Sequence, residues 1–372
     1  MNLTVLDKYL DECQAKGIKG CALVVCRDNE ILYSKGAGIS NSETDAPYDP
    51  NTKTFIYSCT KPITVTAVMQ CYEKGLLDID DPVYKYISSF KNISVLKDGE
   101  TVPAKTILTV RHLLTMTGGF DYTLTTPPIK EILDSNENQL PLRTFASVRP
   151  QTPLFFEPGS AYRYSVCHDI LSGIVEIVTG KDFDVYLKEN ILDPLQMNDT
   201  YFAEHKKVHT EVADMYFYRP ETKVLEPRNK INNFIIGEKF YSGGAGLISC
   251  AKDYIKFADA LASGKAENGY EVLKKSSIDL ISTPQMTYDG ALAFSSPAGK
   301  EYAYGLGVRT RVDASKNGNI GEFGWDGAAG CYVLIDPKEK LSVFYSENIH
   351  NWPLMWKEIH LTLRDAVYEA IK

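Results

Sequence analysis

A serine and a lysine one helical turn apart are the most informative residues in this chain, because together they could form a nucleophile and a base. The segment Ser58-Cys-Thr-Lys61 separates a hydroxyl from an amine by three positions, and residues at that spacing share one face of a helix. A serine hydroxyl attacks a carbonyl only when a base takes its proton, and a lysine serves as that base when its amine is kept neutral by burial or by a neighbouring cation. The pair therefore predicts a nucleophile and its proton acceptor.

The Ser-x-x-Lys spacing alone is weak evidence, because it recurs at three other places. These are Ser88/Lys91, Ser94/Lys97 and Ser249/Lys252. Only the copy at Ser58 lies between a strand-like apolar segment, residues 55–57, and a long amphipathic segment, residues 63–75. This context predicts a strand-to-helix junction at Ser58, with the positive end of the helix dipole beside the site. The competing interpretation is a helix-capping serine followed by a solvated lysine.

Composition and charge narrow the classes of partner. The 372 residues are 44% hydrophobic and 24% charged, with a formal net charge of −8 and no block of Lys or Arg, which is an ordinary globular composition. An acidic chain without a basic patch is not expected to bind nucleic acid or an anionic membrane surface. We expect a small-molecule substrate, no nucleic acid and no membrane, and the oligomeric state stays open.

The pattern of cysteines and histidines argues against metal and cofactor chemistry. The eight cysteines form no Cys-x-x-Cys pair and the six histidines form no His-Glu-x-x-His set, and neither a glycine-rich phosphate loop nor a Gly-x-Ser-x-Gly elbow is present. We expect no metal, no cofactor and free thiols in a reducing compartment. The first residues predict a charged amphipathic helix without an apolar signal core. A cytoplasmic location is therefore expected, and the alternative is that an export signal has been removed.

Strand patterns lie toward both ends of the chain and helix patterns in the middle. Predicted strands cover residues 21–26, 31–35, 304–312, 331–335 and 341–346, and predicted helices cover residues 110–116, 167–180, 183–195 and 353–372. The expected fold is α/β (α+β), with an antiparallel sheet built from both ends of the chain and flanked by helices. The expected division is a sheet domain, residues 1–65 plus 215–372, and a mostly helical inserted domain, residues 66–214, with the active site at their interface.

Further segments follow Ser58 in a recognisable order. They are Gly75-Leu-Leu-Asp-Ile-Asp-Asp-Pro82, Thr109-Val-Arg-His-Leu-Leu-Thr-Met-Thr-Gly-Gly119, Glu157-Pro-Gly159, Tyr164-Ser165, Leu192-Asp-Pro-Leu-Gln-Met-Asn-Asp-Thr200, Gly243-Gly-Ala-Gly-Leu247 and Gly324-Trp-Asp-Gly327. Together they resemble the serine β-lactamase and penicillin-binding-protein-like family of the class C type, and most closely its carboxylesterase branch, the family VIII esterases. The resemblance runs from about residue 15 to the end of the chain. It implies the β-lactamase/penicillin-binding-protein-like fold.

The resemblance also implies an active site of three elements. Ser58 is the expected nucleophile and Lys61 its proton acceptor, and Tyr164 resembles the first residue of the family's Tyr-x-Asn motif, whose phenol helps the lysine to move protons. The competing interpretation of Tyr164 is a core aromatic. Trp325, Asp326 and Gly327 occupy the place of the third motif, on an inner strand. The backbone N–H of Ala328, together with that of Ser58, is expected to form an oxyanion hole.

Two departures from the family pattern bear on the substrate. Val166 stands where lactam-recognising members carry Asn, and Trp325 stands where they often carry Lys. A site that recognises a substrate through polar groups loses that substrate when the groups are absent. Tyr-Ser-hydrophobic with Trp-x-Gly is instead the pattern of the esterase and acyltransferase branch. Asp326 is open to two interpretations, a carboxylate that pairs with Lys61 or favours a cationic or hydroxylated substrate, and a solvated loop residue.

Aromatic residues near the motifs could line an apolar acyl pocket. The candidates are Tyr162, Phe156 and Tyr241, with core packing as the alternative. His168 lies four residues beyond Tyr164 and is interpreted as a packed core residue rather than an extra base.

The function predicted from these residues is that of a serine hydrolase working through an acyl-enzyme on small or medium carboxylic esters. Water or an alcohol then releases the acyl group, so an acyltransferase shares the first half-reaction. One alternative is a β-lactamase or D-Ala-type peptidase or amidase with the same Ser-Lys-Tyr machinery. A second is a catalytically inactive member of the family that binds a ligand.

Overall fold

The computed structural model describes residues 1–286, 299–313 and 317–372. The strands in this part of the chain are β1 (Gly20–Arg27), β2 (Glu30–Asn41), β3 (Ala46–Pro47), β4 (Thr54–Phe55), β5 (Ser94–Lys97), β6 (Glu100–Pro103), β7 (Tyr201–Phe202), β8 (Met215–Arg219), β9 (Val224–Arg228), β10 (Leu247–Ser249), β11 (Tyr302–Tyr304), β12 (Arg309–Arg311), β13 (Phe323–Asp326), β14 (Tyr332–Asp336), β15 (Leu341–Glu347) and β16 (Ile349–His350). The α-helices are α1 (Thr4–Ala15), α2 (Thr60–Glu73), α3 (Val110–Leu114), α4 (Pro127–Ser135), α5 (Leu142–Val148), α6 (Cys167–Thr179), α7 (Phe183–Leu187), α8 (Ala251–Ser263), α9 (Lys275–Ser282) and α10 (His360–Ile371).

The largest sheet is built from the two ends of the chain, as predicted. Its eight strands run in the order β11-β12-β13-β14-β15-β1-β2-β3, and the neighbouring pairs β15/β1 and β1/β2 are antiparallel. The tight β1–β2 turn has positive φ at Asp28 (50°) and Asn29 (68°), which is the backbone that a two-residue hairpin needs. The finer division into residues 1–65 plus 215–372 and residues 66–214 stays a prediction.

Each face of this sheet packs against helices, because successive side chains of a strand point to opposite faces. Leu23 and Val25 of β1 lie in one apolar cluster with residues of α1 and α10. Val24 and Cys26 lie in a second cluster with residues of α2, α6 and α8. The sheet is therefore buried on both faces at β1, and α2 is part of the larger core.

Three local predictions need correction. The predicted strand at residues 304–312 is two strands, β11 and β12, because Gly307 has a φ of +71° and the backbone turns back there. The predicted helix at residues 183–195 is the short α7 followed by a π-helical turn, Lys188–Leu192. The predicted helix at residues 353–372 begins with a π-helical turn, Met355–Ile359, before α10.

Helix α2 also differs from the amphipathic helix that was predicted. Every side chain from Thr60 to Cys71 is buried, so the helix is surrounded by protein rather than presenting a polar face to water. None of the helices in the described part of the chain combines the length and the apolar character needed to cross a membrane.

Candidate active site

Ser58 lies in a tight turn between a strand and a buried helix. The turn, Tyr57–Cys59, is a single 3₁₀ turn that leads directly into α2. Tyr57 has a φ of +43°, a left-handed conformation that is uncommon for a residue with a bulky side chain. On the strand side, Phe55 of β4 pairs with Ile248 of β10. The turn thus places the Ser58 hydroxyl, in a residue only 8% exposed, at the start of a helix.

Lys61 is fully buried in the first turn of α2, and its amine contacts three oxygen atoms. The Nζ atom lies 3.1 Å from Ser58 Oγ, 3.2 Å from the Tyr122 hydroxyl and 2.7 Å from the carbonyl oxygen of Gly244. The residue has 0% exposure. A buried amine within hydrogen-bond reach of a serine hydroxyl has the geometry of a base beside its nucleophile.

Tyr164 approaches Ser58 from the other side. Its hydroxyl lies 2.8 Å from Ser58 Oγ, and the Lys61 amine lies 4.6 Å from the centre of its ring. The structure therefore brings Lys61 and Tyr164 each within hydrogen-bond distance of Ser58 Oγ, and the sequence predicted that these three residues lie together. Their catalytic roles remain a proposal.

Tyr122 is a second tyrosine at this site, and it was not among the site residues predicted from the sequence. Its hydroxyl contacts the Lys61 amine, and its ring stacks on that of Tyr164 with centroids 5.4 Å apart and an interplanar angle of 24°. Loss of hydration raises the pKa of Tyr122 well above its ordinary value, and the neighbouring Tyr164 adds to this effect. The one signal in the sequence was its place three residues beyond Gly119, at the end of a family segment.

The third motif lies on β13, an inner strand between β12 and β14. Trp325 faces the site, where its indole Nε1 lies 3.3 Å from the Tyr164 hydroxyl and its ring stacks on Tyr164 at 5.8 Å. Asp326, the next residue, points to the opposite face of the sheet and accepts a 2.6 Å hydrogen bond from Arg309. This contact corrects two of the interpretations of Asp326, because the carboxylate pairs with Arg309 rather than Lys61 and lies on a strand rather than in a solvated loop. A preference for a cationic or hydroxylated substrate stays a prediction.

Gly327 brings the end of β13 against the turn that carries Ser58. A Cβ at Gly327 would lie 2.5 Å from the carbonyl oxygen of Ile56, a distance that side chains do not tolerate. The backbone then turns tightly, with the Gly330 N–H donating to the Gly327 carbonyl at 3.0 Å. This close approach supports the oxyanion hole from the N–H groups of Ser58 and Ala328, which stays a proposal.

The aromatic pocket candidates have different neighbours. Tyr162 packs at 5.3 Å against Tyr304, which in turn packs against Trp325 at 5.3 Å. Tyr241 packs against Phe202 instead. Among the ring contacts of the described residues, Phe156 and Tyr241 make none with Tyr122, Tyr164 or Trp325.

Phe234 is the aromatic that the sequence analysis missed. Its ring lies 5.7 Å from the rings of both Tyr57 and Tyr122. An apolar side chain therefore lies beside the Tyr57–Cys59 turn that carries Ser58.

His168 behaves as a packed core residue, the interpretation preferred from the sequence. It has 0% exposure, and neither ring nitrogen has a hydrogen-bond partner among the described residues. Burial lowers the pKa of His168 well below its usual range, and the charge of Lys61 lowers it further. The imidazole is therefore neutral at physiological pH.

The fold and the nucleophile turn define a class of protein, the serine enzymes related to β-lactamases. The chain belongs to the beta-lactamase family, whose model matches residues 6–365. It is similar to Esterase EstB from Burkholderia gladioli, with 27% identity over an alignment that covers 98% of this chain and 94% of the relative.

Two solved structures share the fold. One is EstCE1, a hydrolase with promiscuous acyltransferase activity, with 23% identity, a TM-score of 0.78 and 98% of each chain covered. The other is unliganded Simvastatin Synthase (LovD) from Aspergillus terreus, with 22% identity, a TM-score of 0.80, and coverage of 98% of this chain and 97% of that one.

Proposed function

We propose that this protein is a serine hydrolase that cleaves small or medium carboxylic esters through an acyl-enzyme at Ser58. The observation that carries the proposal is the position of Ser58 Oγ, 3.1 Å from the Lys61 amine and 2.8 Å from the Tyr164 hydroxyl. A hydroxyl between two groups that exchange protons has both an acceptor for its own proton and a donor for the leaving group.

The reaction follows from these positions. Ser58 Oγ bonds to the ester carbonyl carbon as its proton passes to Lys61, and the N–H groups of Ser58 and Ala328 hold the developing oxyanion. Collapse breaks the bond to the alcohol oxygen, which takes its proton through Tyr164 and Lys61. Water then attacks the carbonyl carbon of the acyl-enzyme and gives its proton to Tyr164 and Lys61. The bond to Ser58 Oγ breaks, and Ser58 takes a proton back from Lys61. An alcohol in place of water gives an acyltransferase, and this half-reaction needs no further residue.

The walls of the site favour an ester over a lactam or a D-Ala peptide. Trp325 presents an indole where a lysine would bind a substrate carboxylate. Val166 has 0% exposure at the start of α6 and offers no amide to a substrate. The similarity to Esterase EstB supports the same choice.

We also propose a cytoplasmic location. All eight cysteines are free and buried, which is the usual state of thiols in a reducing compartment. The location of the active site is a further proposal. We propose that it lies between two domains, a sheet domain of residues 1–65 plus 215–372 and an inserted domain of residues 66–214.

The test is turnover of 4-nitrophenyl butyrate and of a chromogenic cephalosporin by the wild type, Ser58→Ala and Ser94→Ala. Ser94 begins another Ser-x-x-Lys segment, on β5, and so serves as a matched control. We expect ester turnover to fall by roughly 10³-fold or more in Ser58→Ala and to be unchanged in Ser94→Ala. Ester turnover that persists in Ser58→Ala would contradict the proposal. Faster turnover of the cephalosporin than of the ester would favour the β-lactamase alternative.

A further inference from the structure

A buried carboxylate, that of Asp169, lies behind the Lys61 amine. Asp169 has 0% exposure and lies in the first turn of α6. Its Oδ1 accepts hydrogen bonds from Ser242 Oγ at 2.6 Å and from the Gly244 N–H at 3.2 Å. The carbonyl oxygen of the same glycine accepts a hydrogen bond from the Lys61 amine at 2.7 Å. Asp169 is thus linked to the proposed base through Gly244 alone.

The second carboxylate oxygen faces the same small space as the proposed base. A Cβ at Gly244 would lie 2.8 Å from Asp169 Oδ2 and 2.9 Å from the Tyr122 hydroxyl, so these two oxygens lie on the same side of the glycine. Oδ2 has no hydrogen-bond donor among the described residues, while the Tyr122 hydroxyl contacts the Lys61 amine. The glycine is required here, because any side chain would fill the space between the carboxylate and the phenol.

The groups around Lys61 differ in charge. The phenols of Tyr122 and Tyr164 contact or cover its amine, and His168 is a buried imidazole whose pKa is lowered well below its usual range. The pKa of the Asp169 carboxyl is raised, chiefly by burial, and the Ser242 hydroxyl, the Lys61 charge and the Gly244 N–H offset part of this rise. Hydrogen bonds donated to a carboxylate favour its ionised form.

We propose that Asp169 is a positioning residue for the reaction at Ser58, which fixes Gly244 so that its carbonyl holds the Lys61 amine and supplies the negative charge that balances Lys61 once it has taken the serine proton. The inference rests on the proposed function. The proton leaves Ser58 Oγ as the bond to the acyl carbon forms, and an ammonium results in a position without exposure to water. A buried charge of this kind is stable only with a partner. Asp169 therefore completes a serine–lysine–carboxylate series in which the third group orients the base.

The experiment compares Asp169→Asn with the wild type across pH. This change keeps the shape and an accepting oxygen but removes the charge. On the pH plateau, we expect ester turnover and the labelling of Ser58 by a fluorophosphonate probe to fall roughly tenfold or more. We also expect the acid limb of both profiles to move to lower pH by about one unit, because Lys61 releases its proton more readily without an adjacent anion. A purely structural role would lower the rate without moving the acid limb.

Asp259→Asn is the matched control. Asp259 is a buried carboxylate on α8 that likewise accepts from a serine hydroxyl, Ser342 Oγ at 3.1 Å, and from a backbone N–H, that of Asn29 at 3.0 Å. Its removal should leave both pH profiles where they are in the wild type. A shift of the acid limb in Asp259→Asn equal to that in Asp169→Asn would overturn the inference.

Ser242→Ala covers the case in which Asp169→Asn does not fold. The variant keeps the charge of Asp169 but loses the hydroxyl that holds Oδ1, so the plateau rate should fall severalfold while the acid limb does not move to lower pH. An unchanged plateau rate would overturn the inference.

The probe separates this inference from the proposed function. If the wild type is labelled at Ser58 but turns over no ester, the proposed function is wrong. The pH profiles of labelling then still test whether Asp169 positions Lys61. If Asp169→Asn matches the wild type in rate and in pH profile, the inference fails while ester hydrolysis stands. A wild type that is not labelled at Ser58 overturns both.

Discussion

At the scale of single residues, the site is a serine hydroxyl in contact with one amine and one phenol, and a second phenol contacts the amine. Ser58 contacts Lys61 and Tyr164 directly, whereas the hydroxyl of Tyr122 contacts the Lys61 amine. The two tyrosines stack on each other and are chemically alike. The Tyr164 hydroxyl contacts the proposed nucleophile and the Tyr122 hydroxyl contacts the proposed base, so the two phenols should differ in their effect on the rate.

The prediction is that Tyr164→Phe and Tyr122→Phe give different pH profiles. Tyr164→Phe should lower kcat/KM for 4-nitrophenyl butyrate by roughly 10²-fold and flatten the alkaline limb, because the proton donor to the leaving alcohol is lost. Tyr122→Phe should cost less, about tenfold, and keep the alkaline limb, because it loses only one contact to the lysine. The reverse pattern would assign the proton transfer to Tyr122.

The sequence allowed Ser58, Lys61 and Tyr164 to be predicted because each belongs to a short motif with a known spacing. Tyr122 and Phe234 belong to no such motif, and their positions depend on how loops fold over α2 and the nucleophile turn. Asp326 was misjudged for a different reason. It adjoins Trp325 in the sequence, but the alternation of side chains along a strand directs it to Arg309 on the opposite face.

At the scale of secondary structure, β13 determines where Trp325 and the Ala328 N–H lie. Gly324 pairs with Leu334 and Trp325 with Val333 across the β13–β14 ladder. A Cβ at Gly324 would lie 1.9 Å from the carbonyl oxygen of Val333, which is backbone and not free to move aside. The close approach of the two strands therefore depends on this glycine.

Gly324→Ala should move β13 away from β14 and lower the activity of the folded enzyme. We expect a loss of roughly tenfold or more in kcat, since a displacement near 1 Å at a catalytic group is costly, together with a lower Tm. Gly321→Ala is the control, because Gly321 has a φ of +89° but no atom near its added Cβ. That variant should lose about 1–2 kcal/mol of stability, because a residue with a Cβ is strained at positive φ, and should keep its kcat. Normal kcat in Gly324→Ala would contradict this account of the strand.

Prediction from the sequence was good for the elements with strong periodicity and weaker at turns. The β1–β2 hairpin has turn residues that tolerate positive φ, and so it was visible. The break between β11 and β12 depends on Gly305 and Gly307 packing against Ile281 and His168, which no local pattern reveals. Helix α2 was predicted as amphipathic because its threonines and Lys61 were counted as polar, whereas tertiary hydrogen bonds satisfy them inside the core.

At the scale of the whole molecule, the two ends of the chain form one sheet and the middle supplies helices around it. The sheet holds β13, α2 holds Lys61, and the 3₁₀ turn just before α2 holds Ser58. The segment before α6 supplies Tyr164, and Asp169 lies on α6 itself. The site thus depends on contacts between residues far apart in sequence. The family model's match to residues 6–365 agrees with a fold in which both ends of the chain are needed.

An acyl-enzyme at Ser58 can be detected by measuring the intact mass of the protein quenched during turnover of 4-nitrophenyl butyrate, followed by peptide mapping. We expect a species heavier by one butyryl group, with the group on the peptide that carries Ser58, and we expect it to be absent in Lys61→Ala. An acyl group on another residue, or its undiminished formation in Lys61→Ala, would contradict the proposed nucleophile and base.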